Sequence, residues 1–159
     1  MGVELDIHDF FQLIRRLEKK ASLFYRRASD MSPDQVCRDL FDDLAKMESD
    51  HEQVFEGIGH HMAGRRLARG ADRYAKHWPA IAGRMLSDLD ASLARKFSGR
   101  RAREDILRAA MDFEKETIVF FSGLKEMIPF KPDKQEIDRV IREEVGHIIS
   151  LGGQLASGR

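Results

Sequence analysis

A single cysteine in 159 residues removes two kinds of chemistry at the outset. Cys37 has no partner for an internal disulfide, and a four-thiolate iron or zinc site is beyond this chain. A reducing compartment is the expected setting. Prolines number only four, so long helices meet few breakers. No stretch approaches the roughly 18 consecutive apolar residues that span a bilayer. The opening MGVELDIHDF has no basic start followed by an apolar run, and Asp6 stands where a myristoylation signal needs Ser or Thr. Neither leader nor lipid anchor is expected, and a cytoplasmic protein without a membrane partner follows. Charge of one sign is also missing overall, with 27 basic and 27 acidic side chains, so there is no global pull toward nucleic acid.

What the chain does have is 42% hydrophobic and 34% charged residues, the make-up of a helical globular protein rather than a disordered one. Its length suits one domain, expected to cover residues 1–159. The charge balance breaks locally: the segment from Gly64 to Arg103 holds eleven basic residues against Asp72, Asp88 and Asp90. It carries a net charge of plus eight, and the remainder carries minus eight.

The chain also repeats itself. An offset of 96 residues lays LEKKASLFY (17–25) on FEKETIVFF (113–121) without a gap. The same offset puts Pro33 on Pro129, Glu48 on Glu144 and His51 on His147. Apolar residues recur at three and four spacing in Ile14, Leu17, Ala21, Phe24, Ala28 and in Leu40, Leu44, Met47, Phe55, and the second half repeats the pattern. This predicts two helical hairpins, about 5–62 and 104–156, with helices at roughly 5–29, 34–62, 104–127 and 133–156. Ser32, Pro33 and Gln35 read as N-cap, first helical residue and capping-box partner of the second helix. A crossover, about 63–103, joins the hairpins. Ile81, Met85, Leu89, Leu93 and Phe97, four apart, predict an extra amphipathic helix within it.

Polar residues then appear where apolar ones belong. Residues three apart on a helix differ by about 60° in direction, so Glu48 with His51, and Glu144 with His147, present paired donors within apolar stripes. Glu18 and Glu114 also sit among stripe residues. Glu18 and Glu48 lie fifteen residues either side of Pro33, and Glu114 and Glu144 fifteen either side of Pro129. Equal counts in a hairpin mean equal height, about 22 Å from each turn. Four buried carboxylates repel one another and resist desolvation, whereas two divalent cations bring their sum to zero. Carboxylate oxygen with imidazole nitrogen suits iron or manganese, with zinc as a substitute. One Glu from each of two helices and Glu-x-x-His from each of the other two is a known way to build such a pair.

LEKKASLFYRRA, LFDDLAKMESDHEQVFEGI, DFEKETIVFF and IDRVIREEVGHIISL together resemble the ferritin-like superfamily and, within it, its rubrerythrin-like branch. The resemblance spans both hairpins. It implies an all-α ferritin-like four-helix bundle in which Glu18, Glu48, His51, Glu114, Glu144 and His147 hold two iron ions that react with dioxygen or hydrogen peroxide. It also implies a homodimer. Where rubrerythrins carry a further carboxylate one turn before the third-helix Glu, this chain has Met111. The paired Cys-x-x-Cys motifs of a rubredoxin domain are absent, so an external electron-donor protein is required. Ser49 replaces the methionine with which bacterioferritins bind haem, and no haem is expected. The resemblance points to a diiron oxidoreductase of ferroxidase or peroxidase type. The alternative is a non-catalytic iron-binding or iron-sensing protein whose dinuclear site is mainly structural.

Other residues invite smaller expectations. Tyr25, seven after Glu18, either hydrogen-bonds a ligand carboxylate or is a core aromatic. Glu143 reads foremost as half of a surface ion pair, and otherwise as a group orienting an imidazole. His60, His61 and His77 read as exposed, with an iron-entry site as the alternative. Cys37 reads as a buried structural thiol rather than a redox group. The basic crossover reads as a solvated face or a contact with a second subunit, not a nucleic-acid surface.

Overall fold

The computed structural model describes residues 6–158, which are all-helical, with no strand among them. Residues 1–5, where the first helix and the N-terminal stretch were expected to begin, lie outside the described residues. The helices are α1 (Ile7–Met31), α2 (Gln35–Met62), α3 (Asp72–Ala75), α4 (Trp78–Ala94), α5 (Ala102–Met127) and α6 (Lys131–Ser157). None is long and apolar enough to cross a membrane.

The internal repeat is a repeat of burial. On α1 the buried face is Phe10, Ile14, Leu17, Ala21, Phe24 and Ala28; displaced by 96 it becomes Ile106, Ala110, Phe113, Thr117, Phe120 and Leu124 on α5, all buried. α2 and α6 match in the same way: Phe41, Leu44, Glu48, His51 and Phe55 against Ile137, Val140, Glu144, His147 and Leu151. Each pattern is one stripe of a 3.6-residue period. α1 packs along α2 and α5 along α6, while α2 also meets α6. Removing a Leu- or Phe-sized side chain from water contributes about 1.5–3 kcal/mol, so these stripes drive the association of the helices.

The first turn differs in detail from the sequence expectation. Asp34, not Ser32, caps α2, its carboxylate accepting from the Cys37 N–H at 2.8 Å. Ser32 ends α1 instead, its hydroxyl donating to the Ala28 carbonyl at 2.7 Å. Pro33 precedes the helix rather than opening it, whereas Pro132 does sit in the first turn of α6.

The expected crossover helix is α4, which packs against α1 and, to a lesser degree, α5. Lys20 pairs with Asp90 and the Arg27 guanidinium donates to the Leu93 carbonyl, tying α4 to α1. Its buried face is Ala82, Met85 and Leu89, however, and Ile81 is exposed. Phe97 lies beyond the helix end, partly buried under the Arg95 guanidinium. At the helix start Trp78 lies flat on α5, stacked on Phe120 with centroids 5.7 Å apart. A Cβ at Gly123 would come within 2.3 Å of the indole, so the close approach depends on that glycine.

Candidate metal centre

All six expected ligands converge. Glu18 comes from α1, Glu48 and His51 from α2, Glu114 from α5, and Glu144 and His147 from α6; none is more than 2% exposed. Their ligand atoms form two groups, Glu18–Glu48–His51–Glu144 and Glu48–Glu114–Glu144–His147, each with its atoms within 4.8 Å of one another. Glu48 and Glu144 belong to both.

The division of oxygens explains the sharing. His51 Nδ1 lies 3.3 Å from Glu48 Oε2 and 3.2 Å from Glu144 Oε1, while His147 Nδ1 lies 3.3 Å from Glu48 Oε1 and 2.8 Å from Glu144 Oε2. Each central glutamate therefore turns one oxygen to each imidazole. The outer glutamates serve one side only: Glu18 Oε2 is 3.5 Å from His51 Nδ1, and Glu114 Oε1 is 3.2 Å from His147 Nδ1. The two rings lie nearly parallel, with centroids 5.8 Å apart.

The electrostatics are those of a buried cluster sharing protons. Burial, reinforced by neighbouring carboxylates, pushes Glu18 and Glu114 well above the ordinary carboxylate range. Burial opposes charge on His147 too, but Glu114, Glu144 and Glu48 outweigh it and raise the ring to about 12. His51 is raised in the same way by Glu144, Glu18 and Glu48. Glu144 resists its burial because the imidazoles of His147 and His51 draw it down to about 2.

A hydrogen-bond account nonetheless leaves the cluster incomplete. Both oxygens of Glu18, both of Glu144, Glu48 Oε1 and Glu114 Oε2 are buried without an aligned hydrogen bond. Buried carboxylate oxygens left this way cost on the order of 1–3 kcal/mol or more each. Once deprotonated, the four carboxylates with the two inward nitrogens match two divalent cations in both number and chemistry. The donor set fits a dinuclear metal centre.

Around it, some expectations are met and others change. The Tyr25 hydroxyl donates to Glu114 Oε1 on α5, and not to Glu18 on its own helix. Glu143 does both jobs weighed for it: it accepts from Arg139 at 3.1 Å and from His51 Nε2 at 2.8 Å. The second contact is the less expected one, because counting along α6 reveals Arg139 but says nothing of α2. Met111 is partly buried against the core, one turn from Glu114. Cys37 is fully buried and its thiol is pushed up by that burial despite the helix N-terminus. His61 is held by Asp133 at 2.6 Å, and among the described residues His60, His61 and His77 join no metal-binding group. Within the crossover, Arg84 pairs with Asp88, and Arg95 and Arg103 reach Asp105 and Asp34. No family model, no curated protein and no solved structure matches this chain.

Proposed function

We propose that this protein is a ferritin-like diiron-carboxylate oxidoreductase that reacts with dioxygen or hydrogen peroxide and draws electrons from an external donor protein. The observation that carries the reading is the pair of overlapping donor groups with Glu48 and Glu144 common to both. Glu18 and His51 would hold one ion, Glu114 and His147 the other, and the two central carboxylates would span them. Bound ferrous ions would supply the two electrons needed to reduce peroxide, or the first two delivered to dioxygen. The chain's part is to hold that pair in a dry apolar shell, to keep the two imidazoles facing inward through Nδ1, and to orient Glu114 through the Tyr25 hydroxyl. Deprotonation of the ligands accompanies metal uptake, so loading releases protons.

A second reading, stoichiometric iron binding or sensing without turnover, is favoured by the depth of burial, since no ligand exceeds 2% exposure. One experiment separates them. Apoprotein is loaded anaerobically with ferrous iron, metal per chain is measured, and the sample is mixed with oxygen or with peroxide while ferric absorbance is followed. Two irons per chain, rapid oxidation and repeated cycles after re-reduction support the enzyme. Two irons with negligible oxidation support the binding protein, and no bound metal overturns both.

A further inference from the structure

The six ligands obey the 96-residue repeat, but the residues that steady them do not. Tyr25, which donates to Glu114, has Phe121 as its counterpart. Glu143, which accepts from His51 Nε2, has Met47. A phenyl ring donates nothing, and a thioether is at best a weak acceptor.

The consequences differ on the two sides. His51 is gripped at both nitrogens: Nδ1 faces the cluster, and Nε2 is 2.8 Å from Glu143, itself anchored by Arg139 at 3.1 Å. His147 also turns Nδ1 inward, but its Nε2 is buried with no hydrogen-bond partner. The outer carboxylates are reversed, since Glu114 is tied to Tyr25 while neither oxygen of Glu18 takes an aligned hydrogen bond. Support from outside the cluster thus reaches the imidazole of one group and the outer carboxylate of the other.

We propose that the two metal positions are inequivalent and fill in order, the His51 position first, with Glu143 the positioning residue that sets the order. The inference rests on the dinuclear reading above. A carboxylate on the far nitrogen fixes an imidazole's tautomer and direction and raises its basicity as a ligand, and losing such a partner costs about 10–100-fold in metal affinity. His147 has no such support at Nε2, so the second ion meets a less basic ring held only from within the cluster, as well as the charge of the first ion across Glu48 and Glu144. His147 is accordingly the ligand that detaches first when metal is withdrawn.

The test is anaerobic titration of the apoprotein with Co²⁺, followed by calorimetry and by cobalt visible absorption, in wild type, Glu143→Leu and Glu143→Gln. Two unequal steps are expected in wild type. In Glu143→Leu the first step weakens by about 10–100-fold, while the second moves little. Glu143→Gln keeps an acceptor oxygen for His51 and recovers most of the loss. Crystals soaked at one Co²⁺ per chain place the anomalous peak beside His51. Mutual repulsion of ions in equivalent positions would also split the steps, but Glu143→Leu would then spare the first step and weaken the second. That result, or a first peak beside His147, overturns the order while leaving the dinuclear reading intact. Absence of Co²⁺ binding in folded wild type overturns the reading itself. Thermal unfolding of the metal-free variants verifies the fold, since Glu143 is partly solvent-exposed and its removal leaves no cavity in the core.

Discussion

The buried cluster gathers four carboxylates and two imidazoles at no more than 2% exposure, whereas the crossover spreads its excess of eight positive charges over side chains such as Arg84, 81% exposed. Both regions are charged, yet only one is constrained. In water a charge is already solvated, so Arg84 and Asp88 gain little from meeting at 3.8 Å. In the core, each carboxylate that gives up water must find a proton, an imidazole or a metal. The same residue types therefore inform about function in one place and about almost nothing in the other. Substitutions in the two regions should differ by orders of magnitude, and that contrast can be tested from both ends.

The largest effect is expected at Glu48, because it serves both donor groups. Glu48→Leu should reduce metal binding by more than about 100-fold at both positions, exceeding the loss of a mere outer-shell partner. It should also abolish the stabilisation that metal confers, which at a hundredfold excess over Kd amounts to about 2.7 kcal/mol. The metal-free variant should also lose stability, since Glu48 lies 3.3 Å from both His51 Nδ1 and His147 Nδ1 and removing one partner from a buried ion-paired cluster costs about 3–5 kcal/mol. Metal analysis and thermal melts with and without chelator decide this; a Glu48→Leu protein that still binds two ions tightly would equate the core with the surface.

The second effect is a reversal of pH dependence on loading. Glu18 and Glu114 are raised above their ordinary 4.5, so they favour folding at low pH and disfavour it as pH rises past that value and the unfolded chain ionises. His147, raised to about 12, contributes stability that is complete below its ordinary 6.5 and declines as pH climbs toward 12. Glu144, lowered to about 2, contributes above 4.5 and fades only as pH falls toward 2. Summed, metal-free protein should be most stable on the acid side of neutrality and should weaken from about pH 6 to pH 9. Metal demands deprotonated ligands, so its affinity should rise across the same interval. Melts at several pH values should fall from about pH 6 to pH 9 in the metal-free protein, whereas with excess Mn²⁺ they should rise to about pH 7, where the imidazoles of the unfolded chain finish titrating, and then level off; parallel slopes would mean that the cluster does not exchange protons for metal.

How much of this could be read from the sequence follows the same division. The convergence of the six donors was legible because a carboxylate in an apolar stripe needs a reason, and the repeat supplied that reason twice at matched heights. Ile81 falls off the buried face because a spacing of four advances about 40° per step on a helix of 3.6 residues per turn. From Ile81 to Phe97 that accumulates to about 160°, so the row cannot be one buried face, and α4 buries Ala82, Met85 and Leu89 instead. The cap of α2 was ambiguous because Ser32 and Asp34 can both accept a backbone N–H, and the choice depends on which of them α1 needs for its own end. Tyr25 to Glu114 and Glu143 to His51 are contacts between helices far apart in sequence. Periodicity assigns a residue to a face but does not name the helix that face will meet.

Tyr25 lies between the two extremes. It is fully buried, like the six donors, but it is neutral and its hydroxyl serves only one of them. Tyr25→Phe should cost about 1 kcal/mol in the metal-free protein, the usual net value of a hydrogen bond, because Glu114 Oε1 still has His147 Nδ1 at 3.2 Å. In the loaded protein it should weaken the second ion severalfold and leave the first unchanged, since Glu114 belongs only to the His147 group. Stepwise Co²⁺ titration reads both numbers, and an equal loss at both steps would show the hydroxyl acting on the whole cluster.

The smallest effect anchors the other end of the comparison. Arg84→Ala removes an exposed guanidinium whose partner Asp88, one turn on, is itself 60% exposed. An exposed i,i+4 pair contributes about 0.3–0.5 kcal/mol, and alanine's better helix propensity returns part of that. Stability should therefore change by no more than about 0.5 kcal/mol, and Co²⁺ stoichiometry and affinity should be unchanged at either step. Raising salt to 1 M, where screening acts within about 3 Å, should erase even that difference. A shift of several degrees in the Arg84→Ala melt, or any change in metal binding, would mean that α4 transmits its charge to the centre through α1, and the division between informative and uninformative charge would have to be redrawn around Lys20–Asp90 and Arg27–Leu93, the contacts that join them.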